Sequence, residues 1–501
     1  MGKISNKILL ITPPFYRLYR DPQPYNDYPL ALGYLAQAIK THTNWDVMTY
    51  NADFCSEPGV LEVEYLAGKG FYNYLSNLKN LHYYIWKETF SALSEFKPSV
   101  VGISATSQTF ASACNIAGFV KDIFKDTVVI LGGPHASMLG GKILNNHNFD
   151  IIVKGEGENT IVELLKTLET AGDLQRINGI SYRRGSQIFE NAPRELIRDL
   201  DSLRWPHEYI EGVLKDYKKY PLEAFRNIMA IRGCPYSCFF CGSRKIWTQK
   251  VRLRSPENVV NEIQGLKNKG LRHFRFHDDT FGVSRQYINN LCQALITHCS
   301  GITWDCEMHV KLVDDSIVAL MKKAGCRLIQ ICIESGNNKI LENIRKGITI
   351  EMALSAASVI KKHNISLQTF FIVGFPQETE ETLQDTVRAM KKVRADYLAY
   401  NIFMPYPGTE AFEFCERNGL IKDNYDVSLY NHQSPLNHFC LNIKPERFRI
   451  LASKIEKMVD RKNKLRKLRR IFSLSTLNKI RKLGLIRSLK YSKDLFLSKS
   501  N

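Results

Sequence analysis

Two successive runs of short apolar segments alternating with longer amphipathic ones dominate this chain. A chain that repeats strand and then helix in this way satisfies its backbone in parallel sheets covered by helices. In the first run the predicted strands are Lys7–Thr12, Asp46–Tyr50, Ser99–Ser104, Thr127–Leu131 and Asp150–Val153, with helical periodicity over Leu30–Thr41, Ala111–Phe124 and Thr160–Thr170. The second run begins at Asn227 and continues to about Glu416. Its predicted strands are Ile228–Arg232, His273–His277, Ile302–Glu307, Leu328–Glu334, Leu367–Gly374 and Tyr397–Met404. Helices over Pro256–Lys269, Arg285–His298, Asp314–Ala324, Ile350–His363 and Thr379–Val393 fill the gaps. The fold class is therefore α/β: a doubly wound, Rossmann-like domain over 1–175, a linker with a β-ribbon over 176–224, a partial (β/α)6 barrel over 225–425, and a C-terminal region over 426–501 with a basic helical tail.

Composition excludes several other architectures. Apolar residues make up 44% and charged residues 24%, so disordered and collagen-like chains are excluded. Nothing approaches the roughly 18 uncharged apolar residues of a membrane span. The early run Ile8–Ile11 is too short for a secretion signal and leads into Pro13-Pro14, so a cytoplasmic protein is expected. The net charge of +19 is concentrated at one end. Lys444–Asn501 holds 19 Lys/Arg against 4 Asp/Glu, a net of +15 that leaves the rest of the chain nearly neutral. Any polyanionic partner is thus a partner of the tail.

Twelve cysteines in a long chain without a secretion signal do not read as a disulfide framework. Nine are scattered. The other three form Cys234-Pro235-Tyr236-Ser237-Cys238-Phe239-Phe240-Cys241, a C-x3-C-x2-C spacing directly after the first strand of the second run. Three thiolates can hold three irons of a [4Fe–4S] cluster and leave the fourth open, which is what catalysis at a cluster requires. Zinc is the competing reading, but it wants a fourth ligand close by, and the nearest histidines are His207 and His273.

With Phe240 before its last cysteine, this motif resembles the cluster loop of radical S-adenosylmethionine (radical SAM) enzymes. The resemblance continues through Phe276-His277-Asp278-Asp279-Thr280-Phe281 on the second strand and Trp304-Asp305-Cys306-Glu307 on the third, where Met308-His309 stands at a place often taken by Arg. It extends to Ile333-Glu334-Ser335-Gly336 on the fourth strand, and to Ile372-Val373-Gly374-Phe375-Pro376-Gln377-Glu378-Thr379 on the fifth, with Gln377 replacing the usual Gly. The resemblance implies that Cys234, Cys238 and Cys241 bind the cluster, that Phe240 lies against the adenosine of SAM, and that Asp279, Glu334 and the Gly374 strand contact SAM. For Asp279 and Glu334 an ordinary ion-paired or surface carboxylate is the alternative.

In the first domain, three strands run into turn-rich loops: Thr12-Pro13-Pro14, Gly132-Gly133-Pro134-His135 and Gly155-Glu156-Gly157-Glu158. Glycines at a carboxyl edge let backbone approach a ligand, although glycines that merely turn corners would look the same. Followed by such a barrel, these loops resemble the cobalamin-binding domain of class B radical SAM enzymes, with Gly132, Gly133, Pro134, His135, Gly155 and Glu156 as cobalamin contacts. His135 has Gly133 rather than Asp two residues before it and Met138 rather than Gly three residues after it. The resemblance therefore implies cobalamin without a histidine on its lower face.

The function implied is reductive cleavage of SAM at the cluster with cobalamin-dependent methyl transfer to an unactivated carbon of a small or lipid-like metabolite. A flavodoxin or ferredoxin would supply the electron. Cyclisation or rearrangement is the alternative reaction. RNA modification is disfavoured, because a methylthiotransferase needs three N-terminal cysteines and only Cys55 and Cys114 precede Cys234. Nucleic acid is also a poor fit to the tail, whose Leu and Ile recur every third residue from Leu465 to Leu489 with few aromatics. An anionic membrane surface, met through residues 460–498, is the partner expected there. No residue beyond the cofactor contacts is assigned a catalytic role.

Overall fold

The computed structural model describes residues 5–20, 27–56, 69–145, 148–422, 425–432 and 434–471. Its first sheet has seven strands: β1 (Lys7–Thr12), β2 (Asp46–Asn51), β3 (Val100–Ser104), β4 (Val128–Gly132), β5 (Ile151–Val153), β6 (Ile180–Arg184) and β7 (Gln187–Glu190). Their order is β2-β1-β3-β4-β5-β6-β7, with β1 to β5 parallel and β6 and β7 antiparallel. Both faces of the parallel strands are buried, which is why these strands read as continuous apolar runs rather than alternating ones. On β1, Ile8 and Leu10 enter one core while Leu9 and Ile11 enter the core on the opposite face. The order of the first five strands reverses between β1 and β3, so the ligand crevice of such a sheet lies at the carboxyl ends of those strands.

The hairpin read as a linker ribbon is continuous with this sheet. Its first strand pairs antiparallel with β5, Ile151 opposite Tyr182 and Val153 opposite Ile180, and Tyr182 is fully buried. Residues 180–190 thus extend the N-terminal sheet; a lone two-stranded ribbon would be marginally stable.

The second sheet is parallel and six-stranded: β8 (Asn227–Ile228), β11 (His273–Phe276), β12 (Thr303–Glu307), β13 (Cys326–Glu334), β14 (Ser366–Val373) and β15 (Tyr397–Ile402), in the order β15-β14-β13-β12-β11-β8. Between β8 and β11 lie β9 (Ile231–Arg232) and β10 (Arg252–Leu253), paired antiparallel to each other. The strand expected over Ile228–Arg232 is therefore broken. The Asp278 carboxylate accepts the backbone N–H groups of Ala230 and Ile231 at 2.8 and 2.9 Å, taking the donors that a continued ladder would use.

Residues on β12 to β14 alternate between the helix-facing core and the barrel interior. Trp304, Cys306, Ile329, Ile331, Ile333, Leu367, Phe371 and Val373 join the core. The intervening residues face inward, and Tyr400, register partner of Phe371, shares the outer face.

The basic C-terminal region begins as a helix docked on the barrel. Helix Pro445–Ile471 buries Phe448, Ala452, Ile455 and Val459, a helical stripe that packs against the barrel. Asn463 hydrogen-bonds both the N–H and the C=O of Leu398 on edge strand β15, at 3.1 and 2.8 Å. The Lys462 ammonium donates to the carbonyls of Lys391 and Val393 at the end of helix Glu380–Lys392. Residues 472–501, and with them most of the proposed membrane-binding stretch, lie outside the described residues. Among the described residues no helix is long and apolar enough to cross a membrane.

Candidate active site

The cysteine loop springs from the carboxyl side of β9. Gly233 has φ +97°, and a Cβ there would lie 2.3 Å from the Lys250 carbonyl oxygen, so only glycine fits at the point where the chain turns into Cys234. Phe239 N–H donates to the Ile344 carbonyl at 3.0 Å and Cys241 N–H to the Cys238 carbonyl at 3.1 Å, which fixes the loop. Cys234 and Cys238 are half-buried; Cys241 is exposed at the rim. Burial pushes the Cys234 thiol up to about 11, with Asp279 and Cys238 adding to the rise and Lys346 opposing it. Burial also raises Cys238, against the pull of Lys346. The thiolates oppose one another's ionisation, so the trio needs positive charge to be stable as thiolates.

No group of three His, Cys, Asp or Glu side chains among the described residues is gathered tightly enough to hold a single metal ion. Three thiols on one eight-residue loop, with no fourth thiol in it, are the donor set of a four-iron cluster that keeps one iron open.

The SAM-contact candidates fall into two groups. Phe240 packs on Phe375 at 5.7 Å between ring centroids, and Phe375 follows Gly374, so the loop aromatic and the end of β14 form one wall. Gly374 has φ +94°, and a Cβ there would lie 2.7 Å from the Phe448 ring of the C-terminal helix. The Glu378 carboxylate accepts the N–H groups of Gly374 and Phe375; burial pushes it up to about 8. Asp279 and Glu334 are already engaged. Asp279 accepts from the Ser243 hydroxyl at 3.1 Å, two residues past Cys241, and so braces the end of the cysteine loop. Glu334, buried and at φ +70° after a register shift in β13, pairs with the Lys346 ammonium at 2.9 Å. A non-glycine residue held at positive φ among buried charges is typical of functional sites.

Lys346 is the main residue that the sequence did not flag. It is buried, and Glu334, Cys332 and Cys238 hold its ammonium charged against the cost of desolvation. Around it stand Glu307, raised first by burial and accepting from the Cys332 thiol at 3.1 Å, and His309, pushed down to about 3 by burial and then by Lys346. The neutral His309 imidazole stacks on Tyr236 of the cysteine loop at 3.7 Å and 17°. Deeper in the barrel, the Arg275 guanidinium donates to Gln330 at 3.4 Å, and the Gln330 amide to Gln368 at 2.9 Å. In sequence, Arg345-Lys346-Gly347 reads as a solvated turn; only the closure of the sheet turns Lys346 inward.

In the N-terminal sheet, Gly133 has φ +91° and packs its backbone on the β3 loop, where a Cβ would meet the Ala105 carbonyl at 2.9 Å. Gly132 and Gly155 have nothing within 4 Å of an added Cβ, so they leave open space at the carboxyl edge. Pro134 begins helix Pro134–Leu139, and Ser137 ties the two loops by accepting from Gly155 N–H at 2.9 Å. That open, backbone-lined edge suits a large flat ligand. His135 does not point into it: the ring is buried against Phe110 at 4.0 Å, with Nδ1 3.0 Å from the Ser107 hydroxyl. Glu156 corrects the expectation of a cobalamin contact. Its buried carboxylate is spent on Arg232 and Arg252, both at 2.7 Å, and on the N–H of Ile197 at 2.6 Å.

The two ligand edges face each other. Met138 of the N-terminal domain lies against the loop after Cys241 and against the turn at Gly408: a Cβ on Gly242 would be 3.3 Å from its sulfur, and one on Gly408 2.9 Å from its carbonyl oxygen. A parallel sheet with a glycine-lined crevice, set against an open barrel that carries three thiols, defines a two-cofactor α/β enzyme. Residues 228–390 match the radical SAM superfamily and residues 25–165 the B12 binding domain.

An uncharacterized methyltransferase of Pyrococcus horikoshii is 28% identical over 83% of this chain and 84% of its own length. The anaerobic magnesium-protoporphyrin IX monomethyl ester cyclase of Rubrivivax gelatinosus is 28% identical over 69% of this chain and 62% of its own. Among solved structures, the radical SAM methyltransferase TsrM from Kitasatospora setae, with tryptophan substrate and an SAM analogue bound, superposes with a TM-score of 0.65. It covers 84% of this chain and 79% of its own at 18% identity. The chain is a radical SAM enzyme with an N-terminal B12-binding domain, and its cofactors are a [4Fe–4S] cluster, SAM and cobalamin.

Proposed function

We propose that this chain transfers a methyl group, with cobalamin as carrier, to an unactivated carbon of a small organic substrate held in the barrel. The observation that carries this reading is the apposition, at Met138, of the glycine-lined edge and the cysteine loop, so that a substrate bound between them would meet both cofactors. When bound, the groups supply hydrogen-atom abstraction, from SAM reduced at the cluster, and methyl delivery from cobalamin. Cys234, Cys238 and Cys241 hold three irons and leave one open to SAM. Phe240 and the Gly374 backbone flank the adenosine, and Asp279 keeps the loop in place. Lys346 and Glu334 neutralise each other beside the cluster loop and offer a charged pair to the polar end of SAM or substrate. Gly132, Gly133, Pro134 and Gly155 form the cobalamin cradle, and the inward-turned His135 agrees with cobalamin bound without a histidine on its lower face.

The substrate wall is polar along β11 to β13 (Arg275, Glu307, Gln330) and more apolar at Phe370 and Ile372 of β14, which suits a compact metabolite with one polar end. We place the enzyme in the cytoplasm with a flavodoxin or ferredoxin as reductant, and keep contact with an anionic membrane through residues 460–498 as the role of the tail. Cyclisation is the second reading, favoured by the similarity to the Rubrivivax cyclase.

Anaerobic incubation of the reconstituted enzyme with methyl-labelled SAM, reductant and an extract of the source cells separates the two. Label appearing in a metabolite supports methyl transfer. A product that carries a new ring and is free of label supports cyclisation. Failure of the protein to bind cobalamin would remove both cobalamin-dependent readings.

A further inference from the structure

Arg232 and Arg252 stand opposite each other across the short β9–β10 ladder, and both reach out of the barrel to the same carboxylate of the other domain. Arg232 holds Glu156 at 2.7 Å through one guanidinium nitrogen and Glu158 at 2.5 Å through the other, while Arg252 holds the second oxygen of Glu156 at 2.7 Å. All four side chains are buried, none more than 9% exposed. Glu156 lies in the loop after β5 and Glu158 opens the helix Glu158–Glu169 that follows it; Arg232 is the residue before Gly233 and two before Cys234. The clamp thus joins the root of the thiol loop to the root of a loop on the cobalamin edge. The thiol loop has no slack at that root, because Gly233 already sits against the Lys250 carbonyl.

We propose that Arg232 is a positioning residue, whose two-carboxylate grip on Glu156 and Glu158 sets the distance and orientation of the cysteine loop relative to the cobalamin edge. The residue type follows from the geometry. A planar guanidinium satisfies two carboxylates along fixed directions, whereas an ammonium on a flexible stem is a point charge that fixes neither. If mere cohesion between the domains were needed, apolar packing would serve at least as well as buried charge. What a fork of arginine between two carboxylates adds is registry.

The inference rests on the reading that these two loops carry cobalamin and the cluster, so its test has one arm that needs no cofactor. Full-length wild-type, Arg232→Lys and Glu158→Gln proteins are compared. In the cofactor-free arm, amide exchange at residues 155–158 and 231–234 is expected to speed up by about tenfold in both variants over and above any increase shared by the rest of the chain. In the loaded arm, both variants are expected to retain wild-type iron and cobalamin contents and to cleave SAM within about threefold of the wild-type rate. The broadening of the cob(II)alamin resonance by the reduced cluster, which depends on the separation of the two centres, is expected to shrink.

Unchanged exchange, or unchanged broadening in a folded and loaded variant, overturns the proposal. So does recovery of the wild-type spectrum by Arg232→Lys alone, because simple charge would then suffice. Loss of iron from Arg232→Lys also overturns it, by making Arg232 part of the cluster site. Wild-type protein that binds no cobalamin defeats the cofactor reading instead, and the exchange arm then decides whether the clamp holds the two loops.

Discussion

The two sheets present their carboxyl edges to the same space but build them from different materials. The N-terminal edge is backbone and small residues: Gly132 and Gly155 leave open space, Gly133 packs against the β3 loop, and His135 turns away into the core. The barrel edge is side-chain chemistry: three thiols, the buried Lys346–Glu334 pair, Glu307 against Cys332, and a neutral His309 stacked on the cysteine loop. The contrast matches two tasks. A large preformed cofactor is best recognised by shape and main chain, whereas a reactive centre needs charges held in fixed places in a dry site. Damage to the first edge should therefore cost binding, and damage to the second should cost chemistry or stability.

The largest effect expected is from Cys238→Ala. It should abolish the four-iron cluster and reductive SAM cleavage while leaving cobalamin binding intact, read as iron and sulfide content, 5′-deoxyadenosine release and the base-off cobalamin spectrum. Full SAM cleavage in that variant would falsify the assignment of the trio. Next, Lys346→Met leaves Glu334 buried without its partner, and urea unfolding should show a loss of about 3–5 kcal/mol. A loss below about 1 kcal/mol would mean that the pair is hydrated rather than buried.

A smaller effect comes from pH. Glu378 is pushed by burial up to about 8, well above its unfolded value, so the folded state keeps a proton that the unfolded state has lost. Barrel stability should accordingly fall as pH rises from about 5 to 8, by at most ~1.4 kcal/mol per pH unit from this group. Glu378→Gln, which keeps an oxygen to accept from Gly374 and Phe375, should flatten that slope; an unchanged slope would show that the carboxylate stays ionised. The smallest effect is expected from His135→Ala. Cobalamin should still bind, and the cob(II)alamin resonance should look the same with and without the imidazole. Nitrogen coupling present in wild type and lost in the variant would place the histidine on cobalt and overturn the view of this edge as backbone.

The tail sharpens the same contrast. Residues 445–466 belong to the barrel, since Phe448 packs on Gly374 and Asn463 pairs with Leu398. A chain ending at Ile471 should therefore melt like the full-length protein, whereas one ending at Pro445 should lose barrel stability. Flotation with anionic vesicles is meaningful only between the full chain and the Ile471 form, and equal flotation of those two would end the membrane reading.

Most strands and long helices of both sheets were legible from periodicity, and the cysteine loop from its spacing, but the helices Lys69–Lys79 and Tyr84–Phe96 between β2 and β3 were not read. These signals are local: a strand buried on both faces is apolar throughout, and a helix has its own stripe. The β8–β9 break was not legible, because its cause is the Asp278 carboxylate some 48 positions away from the amides it takes. Glu156 was misread for a similar reason. Beside two glycines at a strand end it looks like a ligand contact, and its actual partners, Arg232 and Arg252, lie in another domain.

What the sequence determined by itself was the set of elements, the thiol spacing and the glycines at strand ends, because each is written in neighbouring residues. What the tertiary structure alone decided was which charges meet: Lys346 with Glu334, Asp279 with the cysteine loop, and Glu156 and Glu158 with Arg232. Burial makes those partners matter, since a charge removed from water must find its counterion in space, and spacing along the chain does not say which one it finds.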